Sequence, residues 1–235
     1  PLGGFRQPGV FREPGDLNPV DPGAGSCGTL AAMGFYEDQV LPRVIDKLLG
    51  NREMGKLRAR ALEGVSGTVL EIGFGSGTNL EHYPREVDRV LAVDPATVGR
   101  KLARKRLATA RVPVEFIGLD GQSLPLDDES VDNAVSTWTL CTIPDVAAAL
   151  AEVRRVLKPG GRLYFLEHGL SDDPKVARRQ HRFDPWQQRV AGGCHLDRRH
   201  DDLIRAAGFE LDRFSTFAIA GPKSMSFMYA GTAAR

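Results

Sequence analysis

The sequence predicts an α/β fold: a seven-stranded, mostly parallel sheet with an antiparallel hairpin strand at its C-terminal end and cap helices on its N-terminal side. Three observations predict it. From residue 68 onward, short apolar runs alternate with stretches of helical periodicity, the order that builds a parallel sheet flanked by helices. The first run, Thr68 to Ile72, leads into a turn carrying Gly73, Gly75 and Gly77, a strand-to-helix corner suited to close backbone approach. The last stretch reads helix, strand, long turn and strand, which returns the chain antiparallel to the sheet.

At 235 residues the chain fits one α/β domain with a modest appendage. Its net charge is +1, and its Lys and Arg are spread along the chain, so no electrostatic footprint for nucleic acid is expected. The densest run, Arg100 to Arg111, holds six basic residues at helical spacing and reads as a solvated helix face. The cysteines Cys27, Cys141 and Cys194 lie far apart with no C-x-x-C pair, which argues against a disulfide framework or a zinc module. No apolar run approaches the roughly 18 residues of a membrane span, and no basic-then-apolar leader pattern is seen. These features together point to a soluble protein of a reducing cytoplasm.

Residues 1–34 form a Pro/Gly-rich arm. Five Pro and six Gly fall in the first 25 residues, around the repeat Phe5-Arg6-Gln7-Pro8-Gly9 and Phe11-Arg12-Glu13-Pro14-Gly15. Its composition cannot bury a core, but its two Phe-Arg pairs can dock on the domain or on the second subunit of a homodimer. Residues 35–64 hold two cap helices. The first runs from Phe35 to Leu49 on the spacing of Val40, Leu41, Val44, Ile45, Leu48 and Leu49, the second from Met54 to Leu62. Tyr36 is expected near the ligand end of the sheet, or as a half-buried anchor of its helix.

After the glycine turn, the second strand, Arg89 to Val93, ends at Asp94, 17 residues beyond Gly77. A carboxylate there can accept from both hydroxyls of a bound ribose, and Pro95 suits the first position of the next helix. The third strand, Val114 to Ile117, leads to Asp120-Gly121-Gln122, whose carboxylate and amides can meet an adenine edge or merely close a turn. The fourth, Val131 to Thr137, leads to Trp138 and Cys141; the helix from Pro144 to Leu157 stops at Lys158-Pro159-Gly160-Gly161. The fifth, Arg162 to Leu166, delivers Glu167 and His168 to the same edge as Asp94 and Asp120, where ligands of open α/β sheets bind. Residues 169–196 are too long for an ordinary connection and read as a lid or substrate insert carrying His181, Trp186, Cys194 and His195. A helix from Asp197 to Ala207 and strands at about Glu210–Thr216 and Met225–Ala230 complete the Rossmann-like sheet.

Over residues 35–235 the sequence resembles the class I S-adenosylmethionine-dependent methyltransferases. The marks are Glu71-x-Gly73-x-Gly75-x-Gly77, Asp94, Asp120 with Leu124-Pro125, and Val156-Leu157-Lys158-Pro159-Gly160-Gly161. The glycines fall two apart after an acidic residue, unlike the G-x-G-x-x-G of dinucleotide sites. Within that superfamily the sequence is most similar to the thiol methyltransferases and their bacterial relatives, through Phe35-Tyr36, Leu41-Pro42-Arg43, Leu140-Cys141, Glu167-His168, Trp186-Gln187 and Gly193-Cys194-x-Leu196.

The resemblance implies S-adenosyl-L-methionine as cofactor, held by Glu71, Gly73, Gly75, Gly77, Asp94, Pro95, Asp120, Gly121, Gln122 and Thr137. It implies a small-molecule acceptor, thiol first, met by Tyr36, Trp138 and the insert. His168, beside Glu167, is the expected general base, since a thiol with a pKa near 8.5 needs only modest help to ionise. Alternatives are a phenol or quinone acceptor, arsenite held by Cys27, Cys141 and Cys194, or a non-catalytic cofactor-binding protein. No resident metal is expected.

Overall fold

The computed structural model describes Tyr36, residues 40–95 and residues 97–235. The arm, with Cys27 and both Phe-Arg pairs, lies outside the described residues, and so does the homodimer contact expected of it.

The sheet has seven strands: β1 (Gly67–Ile72), β2 (Val87–Val93), β3 (Val114–Gly118), β4 (Val131–Thr137), β5 (Leu157–His168), β6 (Glu210–Ala218) and β7 (Phe227–Ala234). Their spatial order is β3-β2-β1-β4-β5-β7-β6. All pairings from β3 to β5 are parallel, and β7 runs antiparallel to both β5 and β6. The chain direction across the sheet therefore reverses between β1 and β4, and a crevice opens at their carboxyl ends.

Among the described residues six α-helices pack around it: α1 (Leu41–Leu49), α2 (Arg52–Ala61), α3 (Thr97–Thr109), α4 (Val146–Val156), α5 (Pro174–Val190) and α6 (His200–Ala206). Asn51 starts α2 by accepting from the amides of Glu53 (3.0 Å) and Met54 (3.1 Å), which places its beginning two residues before the expected Met54.

Alternation along β1 shows how the strand is buried on both faces. Leu70 and Ile72 pack with Leu150 and Val153 of α4 on one side. Val69 packs on the other with Leu62, Leu80 and Tyr83. Glu71, one position out of phase with Ile72, is delivered to the second side and is buried there.

Two elements depart from expectation. The segment Lys158-Pro159-Gly160-Gly161 is the start of β5, which begins directly after α4 instead of at Arg162. Residues 174–190 of the insert, for which the sequence suggests no secondary structure, are a 17-residue helix. Asp173 caps it through the Lys175 amide (2.8 Å) and Pro174 occupies its first turn. Its buried residues are Val176, Gln180, Asp184 and Gln187, mostly polar, so helical spacing exists without an apolar stripe to reveal it. No helix among the described residues is long and apolar enough to cross a membrane.

Candidate active site

The turn after β1 is shaped by its glycines. Gly73, Gly75 and Gly77 have φ of +76°, +55° and +75°, the left-handed region that side chains resist. Space matters as well at Gly73, where a Cβ would lie 1.9 Å from Thr139 Oγ1. Asp94 at the tip of β2 accepts the Gly75 amide at 2.6 Å, which pins the turn to the neighbouring strand. The glycine turn thus opens on the crevice between the ends of β1 and β4.

A cavity of about 280 Å³ fills that crevice. Glu71, Gly73, Gly75, Asp94, Pro95, Thr137 and Trp138 line it, and α1 closes one side with Leu41, Ile45 and Asp46. Ala191 and Gly192, just past α5, close another. A larger groove of about 780 Å³ between α2 and β6 lies away from the glycine turn and shares no lining residue with this cavity.

The polar floor of the cavity holds a carboxylate and a guanidinium, both bonded to Asn79. Glu71 accepts from Asn79 Nδ2 (2.8 Å) and Tyr83 Oη (2.7 Å), and its burial pushes its carboxyl up to about 7 against the pull of those donors and of Arg58. Arg58, from α2, donates through Nη1 to Asn79 Oδ1 and Thr137 Oγ1, both at 2.8 Å. Burial lowers its pKa to about 10, with Glu71 opposing. Its guanidinium lies 4.6 Å from the Trp138 ring centre, and its Nε is buried with no protein partner. Trp138 has φ +52°, a strained value for an aromatic residue, and its amide donates to Leu166 O at 2.8 Å.

Other expected site residues lie elsewhere. Asp120 is exposed and accepts the Gln122 amide (2.8 Å) and side chain (3.0 Å), contacts that hold its carboxyl below the usual range. Gly121 sits against Ile72 and Ile143. None of Asp120, Gly121 and Gln122 lines the cavity, and their turn closes on itself and, through Gln122 Oε1, on the Asp145 amide at 2.8 Å. Tyr36 is 38 % and Trp186 61 % exposed, and neither lines the cavity. His181 pairs with Asp197 at 3.0 Å on the surface, and His195 pairs with Asp184 at 3.3 Å.

Glu167 and His168 do reach the sheet edge, but both face inward. Glu167 is fully buried and holds the turn after β4, accepting from Ser136 Oγ (2.7 Å) and the Thr139 amide (2.9 Å); burial pushes its carboxyl up to about 7. His168 Nε2 lies 3.0 Å from Cys194 Sγ, and Cys141 completes a buried group of three. A hydrogen bond from Cys141 lowers the Cys194 thiol pKa, helped by His168, while Cys141 itself is raised. Burial alone would lower His168, yet its contact with Cys194 raises it.

Sequence reasoning missed Arg58, Asn79, Tyr83 and Thr139. An arginine in a short polar helix carries no mark of burial, and Asn79 and Tyr83 lie at the ends of the short helical segment after the glycines, whose length shows no buried face. Thr139 was detectable in principle, because a glycine at 73 implies a close neighbour.

Residues 70–165 match the methyltransferase domain family. With the sheet order and the glycine turn, this match supports a class I S-adenosylmethionine-dependent methyltransferase domain over those residues. It is similar to the thiol S-methyltransferase TMT1B of Rattus norvegicus, 38% identical over 146 residues that make up 60% of this chain and 59% of the relative. A demethylmenaquinone methyltransferase of Clavibacter sepedonicus is 32% identical over 55% of this chain and 54% of its own length. The chain thus spans less than two thirds of these relatives. In fold it matches a methyltransferase structure from Thermotoga maritima with a TM-score of 0.60 at 24% identity, covering 86% of this chain and 99% of that one.

Proposed function

We propose that this chain transfers a methyl group from S-adenosylmethionine to the sulfur of a small thiol, giving the S-methyl product and S-adenosylhomocysteine. The observation that carries the cofactor half is that Glu71 and Arg58, joined through Asn79, both line the floor of the glycine-lined cavity. An amino-acid terminus presents one cation and one anion, and these two side chains offer the complement: a carboxylate for the amino group and a guanidinium with an unpartnered, buried Nε for the carboxylate. Asp94, a carboxylate lining the same cavity, supports the reading as an acceptor for ribose hydroxyls.

When bound, the sulfonium supplies an activated methyl group whose positive charge is consumed in an in-line displacement. The protein therefore has to align and to exclude water, more than to do acid–base chemistry. α1, Trp138 and the Ala191-Gly192 wall serve that purpose. His168, the expected general base, is committed to Cys194 and does not line the cavity. A thiol acceptor fits this, since a thiol near pKa 8.5 is ionised to a few per cent at neutral pH without a dedicated base.

The similarity to thiol S-methyltransferases favours sulfur as the acceptor atom, and that to a demethylmenaquinone methyltransferase supports a quinone or phenol as the second reading. An arsenite acceptor requires three converging cysteines; Cys141 and Cys194 meet, and Cys27 lies outside the described residues. A screen of thiols, phenols, quinones and arsenite, read as S-adenosylhomocysteine release, tests the proposal. Turnover with thiols is expected. Turnover confined to quinones overturns the acceptor, and cofactor binding without turnover on any acceptor overturns catalysis.

A further inference from the structure

We propose that Cys141, His168 and Cys194 form a zinc site that clamps the loop after α5 to the edge of the sheet. Their ligand atoms, two Sγ and one imidazole nitrogen, all lie within 4.8 Å of one another, and all three residues are buried. The donors arrive from three separate elements: the turn after β4, the end of β5, and the loop following α5. That is why the spacing in sequence, with no C-x-x-C pair, shows no metal signature.

The geometry suits zinc. Around a tetrahedral Zn²⁺, thiolate and imidazole donors sit about 3.4–3.8 Å apart. His168 Nε2 and Cys194 Sγ are 3.0 Å apart and no pair in the group exceeds 4.8 Å, so closing on the ion changes no separation by more than about 1 Å. Two sulfurs and an imidazole exclude Mg²⁺ and Ca²⁺ by softness, and leave one position for an exogenous donor such as water.

The donors are also pre-positioned. The His195 amide donates to Cys141 O at 2.9 Å, locking the two sulfur-bearing segments together, and the Cys194 amide donates to Ala191 O at 3.2 Å. The His168 carbonyl accepts from His200 Nε2 at 2.9 Å. Both cysteines are free thiols, so binding displaces one proton from each and breaks no disulfide. Ala191 and Gly192 wall the cofactor cavity. A metal that holds Cys194 to β5 therefore holds that wall, and its removal loosens it.

The site is independent of which acceptor is methylated, and its test reads the metal directly. The full chain carrying Cys27→Ser has only Cys141 and Cys194 as thiols. Reduced, metal-free and anaerobic, it is titrated with Co²⁺ and back-titrated with Zn²⁺. One equivalent is expected, with thiolate-to-cobalt charge-transfer absorption of two sulfurs that Zn²⁺ bleaches. His168→Gln should keep the charge-transfer bands and weaken Zn²⁺ by about 100-fold. Absence of the bands in Cys27→Ser, intensity for a single thiolate, or a Zn²⁺ affinity unchanged in His168→Gln overturns the site.

Discussion

At the scale of single residues, burial decides what the charged groups of this protein can do. Asp94 keeps one oxygen on the Gly75 amide at 2.6 Å and lines the cavity, so Asp94→Ala should weaken S-adenosylmethionine by about 1–3 kcal/mol, and calorimetry giving unchanged affinity would remove it from the site. Glu167 carries a different consequence. Its carboxyl is raised from 4.5 to about 7 by burial, so between those values the native state binds the proton that the unfolded chain has released. Stability contributed by this group is then present at low pH and lost as pH rises through 7. The whole shift corresponds to on the order of 3 kcal/mol. Glu167→Gln, which cannot ionise, should therefore gain on the wild type by up to that amount between pH 5 and pH 8 in urea unfolding; a constant difference across the range would contradict the buried carboxyl. Asp94 and Glu71 were legible as acidic residues at strand ends, because a strand tip fixes position and the glycines fix the ligand. The roles of Glu167 and His168 were not, since sequence places a residue at an edge without saying which way its side chain turns.

At the scale of elements, the glycine turn makes two separable demands, and two substitutions tell them apart. Both Gly73 and Gly75 have positive φ, which costs an alanine about 1–2 kcal/mol. At Gly73 the added Cβ also meets Thr139 Oγ1 at 1.9 Å, and Thr139 is held by Glu167 through its amide at 2.9 Å, so the clash spreads into the turn after β4. At Gly75 the nearest atom to such a Cβ is 4.0 Å away, and the residue lines the cavity. Gly73→Ala is expected to destabilise the fold well beyond the conformational cost, while Gly75→Ala should leave stability within about 2 kcal/mol and mainly weaken the cofactor. Equal loss of melting temperature in the two variants would argue that only backbone conformation matters. The contrast with α5 shows where element-level reading stops. β1 and its turn are announced by apolar alternation and glycines. In α5 the buried residues besides Val176 are Gln180, Asp184 and Gln187, and two of them hold loop backbone: Gln180 accepts the Ser171 amide at 2.8 Å and Asp184 that of Leu196 at 2.5 Å. With Pro185 inside it as well, such a helix has the composition of a loop, and only its Asp173-Pro174 start advertises it.

At the scale of the molecule, the strand order brings together residues that are distant in sequence and assigns the two halves of the chain different tasks. β1 to β3 carry the glycine turn and Asp94, and β4, β5 and the insert supply Trp138 and the Ala191-Gly192 wall opposite. The cavity lies on the seam between them, so a bound cofactor touches both sides and neither alone. Ligand that binds only the folded seam must stabilise the whole fold by mass action, by about 2.7 kcal/mol at a hundred times its dissociation constant. S-adenosylmethionine and S-adenosylhomocysteine should therefore both raise the melting temperature in proportion to the logarithm of concentration. Arg58→Met should cut that shift for both ligands alike, because the guanidinium is matched to the carboxylate end they share and is indifferent to the methyl group. A larger shift for S-adenosylmethionine alone in Arg58→Met would place the guanidinium beside the like-charged sulfonium instead, and the orientation of the cofactor in the cavity would have to be reversed.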